Sequence, residues 1–163
     1  MRWFSLALVF VMPAIAVSVF AASGDQLPPP EGKALWQYIS QVDPYKDWSR
    51  LPGYDSMVRA SSPHSRHIEL FINDIGLEAY KADKPLPNGT IIVKVNYGTD
   101  KETIASITPM YKVEGYNPEA GDWFWGMYTP EGKVHREGKV FGCLNCHKKA
   151  KESNYVFTRQ ESD

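Results

Sequence analysis

The sequence has 163 residues, of which 43% are hydrophobic and 13% aromatic, and this is enough for one domain with a substantial core. Its 18 basic and 19 acidic residues leave a formal net charge of −1. No basic stripe runs along the chain, so the composition excludes the electrostatic footprint of a nucleic-acid-binding protein.

The first 21 residues have the pattern of a secretory signal peptide. Arg2 gives a positive start, residues 4–20 form an apolar run, and Ala21 completes a small-residue cleavage site. The alternative is an uncleaved membrane anchor, because a run of 17 residues lies at the lower limit for a membrane span. Pro13 within the run favours cleavage, which predicts an exported chain that keeps no membrane segment.

Residues 22–33 follow the leader and contain three consecutive prolines, which predicts an extended tether. Apolar residues over 34–42 recur at the spacing of one helix face, so a short amphipathic helix is expected there. Asp43-Pro44 then ends this helix. An aromatic loop over 45–54 leads into the rest of the domain.

From residue 67 onward the sequence is dominated by strand patterns. The clearest is residues 90–97, Thr-Ile-Ile-Val-Lys-Val-Asn-Tyr, which is rich in β-branched side chains. The predicted elements are strands over 67–72, 90–97, 103–113, 122–128 and 155–157, a short return strand beginning at 133–135, and helices over 75–82 and 144–152. We therefore expect an α+β domain over 34–163, an antiparallel sheet with a few flanking helices.

Near its end the chain reads Cys143-Leu144-Asn145-Cys146-His147, the C-x-x-C-H signature of c-type haem attachment. Two thiols at this spacing can each form a thioether to one vinyl group of the same porphyrin, and the adjacent histidine can ligate its iron. The motif predicts one covalently bound haem c, attached at Cys143 and Cys146 near the C-terminus, with His147 as the iron ligand. Bacterial haem c is attached outside the cytoplasm, so this motif and the leader agree on a periplasmic protein.

Three other interpretations of the motif compete with haem attachment. A thioredoxin-like redox pair would lie early in a βαβ unit, but only 16 residues follow His147. A structural zinc site needs four ligands, and adding His135 and His147 gives a spacing unlike known zinc patterns. A fortuitous match is the third.

Two familiar cytochrome classes do not suit the pattern around the motif. No methionine or histidine follows His147, so the downstream methionine ligand of the helical class I cytochromes is absent. The strand-rich stretch over 90–128 does not suit the four-helix bundle of the cytochromes c′.

Several short motifs occur once each along the chain, in a defined order. They are Pro63-His64, Phe71-Ile72-Asn73, residues 87–94, Met110-Tyr111-Lys112, residues 115–118 and 121–125, the haem box at 142–147, and Tyr155-Val156-Phe157. Their order and spacing resemble the cytochrome P-460 and cytochrome c′-beta family. The resemblance implies a small, sheet-rich periplasmic domain with a single haem c, often a homodimer. It also implies a five-coordinate iron with His147 on one side and the opposite face open to small ligands.

The two branches of that family differ on the open face of the iron. The P-460 branch implies an oxidoreductase acting on hydroxylamine, in which a lysine makes an extra covalent bond to the porphyrin. The c′-beta branch implies apolar and aromatic residues over the iron, and a cytochrome that binds NO or carries electrons. No lysine lies between Lys46 and Lys81, while Lys94 and Lys112 lie in motifs of the whole family, so the sequence favours the c′-beta branch.

We therefore expect a periplasmic mono-haem cytochrome that binds small ligands such as NO and CO and cycles one electron, with a redox partner protein that the sequence does not identify. The alternative is a P-460-type oxidoreductase that oxidises hydroxylamine or NO, and the sequence leaves open whether the protein is an enzyme. Phe71 is the candidate distal residue beside the haem, with an ordinary core position as the alternative. Other candidates are His64 and His67 as distal ligands, and Trp123 and Trp125 as core residues near the porphyrin. The candidate proton acceptors for hydroxylamine are Glu69, Glu114 and Asp122. The candidate contacts for an acidic redox partner or for haem propionates are Lys148, Lys149 and Lys151, although a solvated helix face is the commoner explanation for such lysines.

Overall fold

The computed structural model of the chain describes residues 26–60 and 67–157. The expected signal peptide over 1–21, the first four residues of the tether and the candidate His64 lie outside these residues. Over the described residues the chain forms one antiparallel sheet with helices packed on both faces, which confirms the predicted α+β class. None of the described helices is long and apolar enough to cross a membrane.

The sheet contains seven strands within the described residues. They are β1 (Ser49–Arg50), β2 (Val58–Arg59), β3 (His67–Ile72), β4 (Ile91–Tyr97), β5 (Ile104–Lys112), β6 (Trp123–Tyr128) and β7 (Val134–Gly138). Every pairing is antiparallel, in the order β1-β3-β4-β5-β6-β7, and β2 lies beside β1 along the same edge of β3.

Three α-helices flank the sheet: α1 (Gly32–Gln37), α2 (Asp74–Lys81) and α3 (Phe141–His147). Helix α1 continues as a π-helical turn over Tyr38–Val42, and α3 continues as a 3₁₀ helix over Lys148–Ser153. Asn73 caps α2, because its side-chain oxygen accepts a hydrogen bond from the Gly76 backbone N–H.

Strand β4 lies near the centre of the sheet and is rich in β-branched residues, which suit a pleated, buried surface. Its Lys94 is paired with Leu70 of β3 and with Thr108 of β5. Because side chains alternate along a strand, Ile92 and Lys94 point to one face of the sheet and Val93 to the other.

The two faces of the sheet carry two separate cores. The first core lies under α1 and consists of Leu35, Tyr38, Ile39, Tyr45, Phe71, Ile91, Val93, Val95, Ile107, Tyr111, Phe124 and Tyr128. The second core lies under α3 and consists of Leu51, Tyr54, Ile68, Leu70, Ile72, Leu86, Ile92, Met110, Trp123, Trp125, Tyr155 and Val156.

The described part of the predicted tether is fixed to the sheet. The Tyr111 hydroxyl donates a hydrogen bond to the Pro28 carbonyl at 2.9 Å, and the Tyr128 hydroxyl donates one to the Gly32 carbonyl at 2.9 Å. Helix α1 begins at Gly32, where an added Cβ would collide with the Glu137 side chain. The packed domain therefore begins before residue 34.

One predicted element at the C-terminus is wrong. Residues 155–157 were expected to form a final strand, but they have no strand pairing. Asn154 and Tyr155 both have left-handed backbone conformations, with φ of 58° and 62°, and this reverses the chain direction after the 3₁₀ helix. The haem-motif helix also begins at Phe141 rather than at residue 144, and its second half is 3₁₀.

A half-buried ionic cluster on the first-core face joins three strands. The Glu69 carboxylate accepts hydrogen bonds from the Arg50 guanidinium and from the Tyr97 hydroxyl, and Arg50 lies over the Phe71 ring. Burial raises the pKa of Glu69, but these two hydrogen bonds and the charge of Arg50 outweigh it, so the pKa lies below its ordinary 4.5. The stabilisation is present above the unfolded-state pKa and is lost as pH falls through the folded-state pKa.

Replacing Glu69 by Gln is therefore expected to lower the free energy of unfolding by about 1–3 kcal/mol at pH 7, because a charge-assisted network is lost. The gap to wild type should narrow at a pH below the folded-state pKa, where the wild-type carboxyl is itself protonated. Urea titrations at the two pH values measure this. The control is Glu78→Gln on α2, whose exposed pair with Lys81 is worth less than about 1 kcal/mol; equal losses in the two variants contradict the prediction.

Candidate functional site

A cavity of about 270 Å³ lies on the second-core face of the sheet, between strands β3–β6 and helix α3. Its wall is mainly apolar and aromatic, which suits a planar hydrophobic cofactor. The residues that line it include Tyr54, Ile68, Leu70, Ile92, Lys94, Ser106, Thr108, Met110, Trp125, Met127, Arg136, Cys143, Cys146, His147, Val156 and Phe157.

The three residues of the C-x-x-C-H motif all line this cavity. Cys143 and Cys146 lie one turn apart on α3, so both thiols project from the same side of the helix. Both are half-buried free thiols. Burial raises the pKa of Cys143, although the charges of Lys94 and Arg136 oppose this, so the thiol stays protonated at neutral pH.

His147 ends α3 and is held in a defined orientation. Its Nδ1 lies 2.7 Å from the Tyr155 carbonyl oxygen, and because a carbonyl only accepts, Nδ1 carries the proton and donates. The ring packs against Trp125 and Phe157, with centroid distances of 4.6 and 5.2 Å. This tautomer leaves the lone pair on Nε2, as metal ligation requires.

The protonation state of His147 also suits a metal ligand. Burial lowers its pKa to about 4; the hydrogen bond to Tyr155 opposes this shift and the charge of Lys94 adds to it. The imidazole is therefore neutral at physiological pH, and only a neutral imidazole can donate an electron pair to iron.

Lys94 is the one lysine among the described lining residues of the cavity. Its side chain is half-buried in the cavity wall, and burial lowers its pKa to about 8, against the opposing influence of Cys143 and Cys146. The amine is thus close enough to both thiols and to His147 to interact electrostatically with all three.

Three polar side chains of the wall, Lys94, Ser106 and Thr108, lie together on β4 and β5. Thr108 pairs with Lys94 across the two strands, and Ser106 pairs with Asn96. The Asn96 amide donates hydrogen bonds to the Thr108 hydroxyl at 3.1 Å and to the Ser106 carbonyl at 3.2 Å, and the Thr108 hydroxyl donates to the Lys94 carbonyl. This network fixes the hydroxyl of Thr108 beside Lys94.

No carboxylate belongs to the described part of the cavity wall. Glu69 lies on the opposite face with Arg50 and Tyr97, Glu114 is exposed, and the Asp122 carboxylate accepts from the Asn117 backbone N–H. The three carboxylates considered as proton acceptors are therefore not placed at this site.

Phe71 does not line the cavity, contrary to the expectation that it caps a haem. It points to the first core, where its ring packs edge-on against Tyr45 and under Arg50. Ile68 and Leu70, at the alternate positions of the same strand, face the cavity instead. His67 lies on the Phe71 side with its ring near the Gly98 carbonyl, and His135 is exposed on β7.

The two tryptophans of β6 share one face, and both are buried in the second core, as expected for core residues. Their ring centroids are 6.5 Å apart, and Trp125 is the one that reaches the cavity and His147.

Sequence reasoning missed Lys94 as a site residue. The available signal was a single lysine in the middle of the most β-branched strand, since a central strand buries both faces and a charged side chain there needs a special environment. Strand pairing places Lys94 between Leu70 and Thr108 at the cavity wall, and this pairing could not be read from the sequence alone.

The residues present fit a haem c. The cavity offers two thiols on one side of a helix, a neutral imidazole beside them and a largely apolar wall. In the described stretches 26–60 and 67–157, no cluster of three or more His, Cys, Asp or Glu side chains is arranged to hold a bare metal ion.

Comparison with known proteins agrees with this donor set. A family model described as cytochrome P460 matches residues 42–158, which is more than half of the chain. No curated protein matches the sequence. The match covers the strands of the cavity wall, the two thiols and the histidine, and the chain therefore belongs to the cytochrome P460 family and is a haem c cytochrome.

Proposed function

We propose that this protein is a periplasmic P460-type oxidoreductase that oxidises hydroxylamine or NO at a single haem. Cys143 and Cys146 attach the porphyrin, His147 ligates the iron, and Lys94 makes a further bond to the porphyrin. The haem supplies an iron that binds the small nitrogenous substrate and accepts its electrons.

The position of Lys94 is the observation that carries this proposal. A pKa lowered from 10.5 to about 8 means that enclosing the charged amine costs about 3 kcal/mol, and no described carboxylate in the cavity offsets it. A lysine kept in an apolar cavity at that cost indicates function rather than packing. Burial also makes the amine more easily neutral, and the neutral amine is the nucleophile.

The bond to Lys94 balances as a two-electron oxidation. Bond formation would remove one hydrogen from the Lys94 amine and one from a porphyrin carbon, and one molecule of hydrogen peroxide, the oxidant, would become two of water. The attached product is therefore two hydrogens lighter than the sum of its parts.

The remaining wall residues have two roles toward a small substrate. Ile68, Leu70 and Ile92 exclude water from their part of the cavity, because an apolar wall gives water no hydrogen bond. The hydroxyl groups of Ser106 and Thr108 lie in the cavity wall on β5, the strand that pairs with the Lys94 strand. They can accept hydrogen bonds from the N–H and O–H groups of hydroxylamine.

The second candidate is a cytochrome with the same iron ligand that binds NO or CO without turnover. The described cavity wall favours it in one respect, because it contains no carboxylate to take protons from hydroxylamine. Lys94 then stays a free amine beside the haem, and the protein binds neutral ligands and cycles one electron.

Replacing Lys94 by Leu is expected to separate the two candidates. In the wild-type holoprotein, the tryptic peptide containing Lys94 should remain joined to the haem peptide of Cys143 and Cys146, and the ferrous Soret band should lie far to the red. In the Lys94→Leu variant the two peptides should separate, the spectrum should revert to that of ordinary haem c, and hydroxylamine oxidation should be lost.

Lys46→Leu is the matched control, because Lys46 is exposed and its neighbour Tyr45 packs in the first core on the other face of the sheet. It should leave mass, spectrum and activity unchanged. Separate peptides and an ordinary ferrous spectrum in the wild-type protein contradict the oxidoreductase proposal and favour the ligand-binding cytochrome.

A further inference from the structure

Phe141 is a large hydrophobic side chain that the fold leaves in solvent. It is 77% exposed, whereas Ile75 on α2, the other exposed large hydrophobic residue of the described chain, is 42% exposed. Phe141 is the first residue of α3, two positions before Cys143. It therefore marks the outer surface of the helix that carries the attachment cysteines.

The side of α3 that faces away from the cavity consists of exposed residues. Cys143, Cys146 and His147 face the cavity, while Phe141, Gly142 and Asn145 are exposed. The exposed pair Lys148-Lys149 directly follows His147, at the start of the 3₁₀ helix that continues α3. We call Phe141, Gly142, Asn145, Lys148 and Lys149 the Phe141 face.

The stretch of chain that contains the Phe141 face is positively charged. Residues 133–152 contain six lysine or arginine residues and two glutamates, a net charge of +4. Because the whole chain has a net charge of −1, the remaining residues carry −5. Arg136 lines the cavity and acts electrostatically on Cys143, so one of these cations lies beside the attachment site itself.

An exposed aromatic side chain within a positively charged stretch of the chain suits a transient complex. Electron-transfer interfaces are small, so a single apolar contact suffices for them, and opposite charges steer the partners together. The contrast between this positive stretch and the negative remainder of the sequence favours the approach of a negative protein toward α3. Close approach at α3 also brings the partner near the attached porphyrin, because the attachment thiols lie on the inner side of the same helix.

We propose that the Phe141 face docks an acidic electron-accepting protein, which takes the electrons released at the haem. This inference rests on the proposed redox function, but it adds the site of electron exit and the charge of the partner. Phe141 provides the apolar contact, and Lys148, Lys149 and Arg136 provide the complementary charge.

The experiment follows the oxidation of the reduced holoprotein by stopped flow, with an acidic plastocyanin as the protein oxidant. The second-order rate constant should fall steeply as ionic strength rises, because the attraction is screened over about 10 Å at 0.1 M salt. Phe141→Ser and the double change Lys148→Glu/Lys149→Glu should each slow the reaction by roughly tenfold or more at low salt. A neutral oxidant, benzoquinone, should react with all variants at the wild-type rate.

Gly142 offers a matched pair of variants that add a charged side chain without removing an existing side chain. A Cβ added there meets no atom within 4 Å, so a new side chain is accommodated. Gly142→Glu should slow the plastocyanin reaction like the lysine reversals, and Gly142→Lys should not. Ile75→Ser and Lys46→Glu, which change an exposed hydrophobic residue and an exposed lysine elsewhere, should have no effect.

The outcomes are distinguishable. If benzoquinone and plastocyanin both fail to oxidise the reduced holoprotein, the redox function fails and this docking proposal with it. If benzoquinone reacts normally but plastocyanin shows no dependence on salt or on the Phe141 face, the docking proposal alone is overturned. It is also overturned if light scattering shows that Phe141→Ser converts a dimer to a monomer, since the face is then an interface between two copies of this chain.

Discussion

The double variant Cys143→Ser/Cys146→Ser is expected to contain no covalently bound haem, whereas the wild-type chain contains one. Each thiol forms one thioether to a vinyl group, and a serine hydroxyl cannot replace it. Both thiols line the same cavity from one side of α3, so we expect them to hold a single porphyrin between them. Because attachment at α3 also holds the porphyrin against Lys94, the bond to Lys94 should not form in this variant.

Intact mass under denaturing conditions and haem staining of a denaturing gel measure the loss directly. Each single serine variant should retain one thioether, and its pyridine haemochrome band should shift toward that of haem with one free vinyl group. Asn145→Ala is the control, because Asn145 lies between the two cysteines in sequence but is exposed. Haem that remains attached to the double variant contradicts the assignment of the thiols.

Replacing His147 by Gly is expected to leave the haem attached through its thioethers but to remove the proximal iron ligand. The imidazole is neutral, is oriented by Nδ1 donation to Tyr155, and packs on Trp125, so its removal opens a space of its own shape. The rate of hydroxylamine oxidation should fall by about 100-fold or more. Mutating only the groups that orient a metal ligand already lowers metal affinity or activity by about 10–100-fold, and here the ligand itself is removed.

Added imidazole should restore both the ferrous spectrum and part of the activity of His147→Gly, since it fills the space and supplies the same donor atom. A residue with a purely structural role does not respond in this way. His135→Gly, at an exposed histidine of β7, is the matched control and should resemble wild type. An unchanged ferrous spectrum in His147→Gly identifies a different axial ligand.

Much of the sheet was predictable because its signals are local. The strands over 67–72, 90–97, 103–113 and 122–128 have β-branched or aromatic runs bounded by turn residues, and each was found within about one or two residues of its predicted limits. The attachment motif was equally local, since its chemistry depends on five consecutive residues.

The candidate distal residues were not predictable, because they depend on which face of a strand meets the cavity. Strand β3 buries both faces, so alternation alone could not tell Phe71 from Leu70. A shift of one residue moves every side chain to the other face, and only the register with β4 decides. The same register brings Lys94 into the cavity, which the sequence pattern did not show.

The wrong final strand has a different cause. Tyr155-Val156-Phe157 has strand-like composition, yet Tyr155 adopts a left-handed conformation after Asn154 and its carbonyl accepts the hydrogen bond of His147. The segment serves to orient the histidine, and this tertiary role overrides its local propensity.

The most direct test is the coordination of the iron in the purified holoprotein, measured by absorption and resonance Raman spectra of the ferrous state with and without CO. We predict one haem per chain, a five-coordinate iron ligated by His147, and ready binding of CO on the opposite face. A protein without tetrapyrrole contradicts this prediction. So does a six-coordinate iron that excludes CO because a second side chain of the cavity wall, such as Lys94, Met110 or Met127, occupies the sixth position.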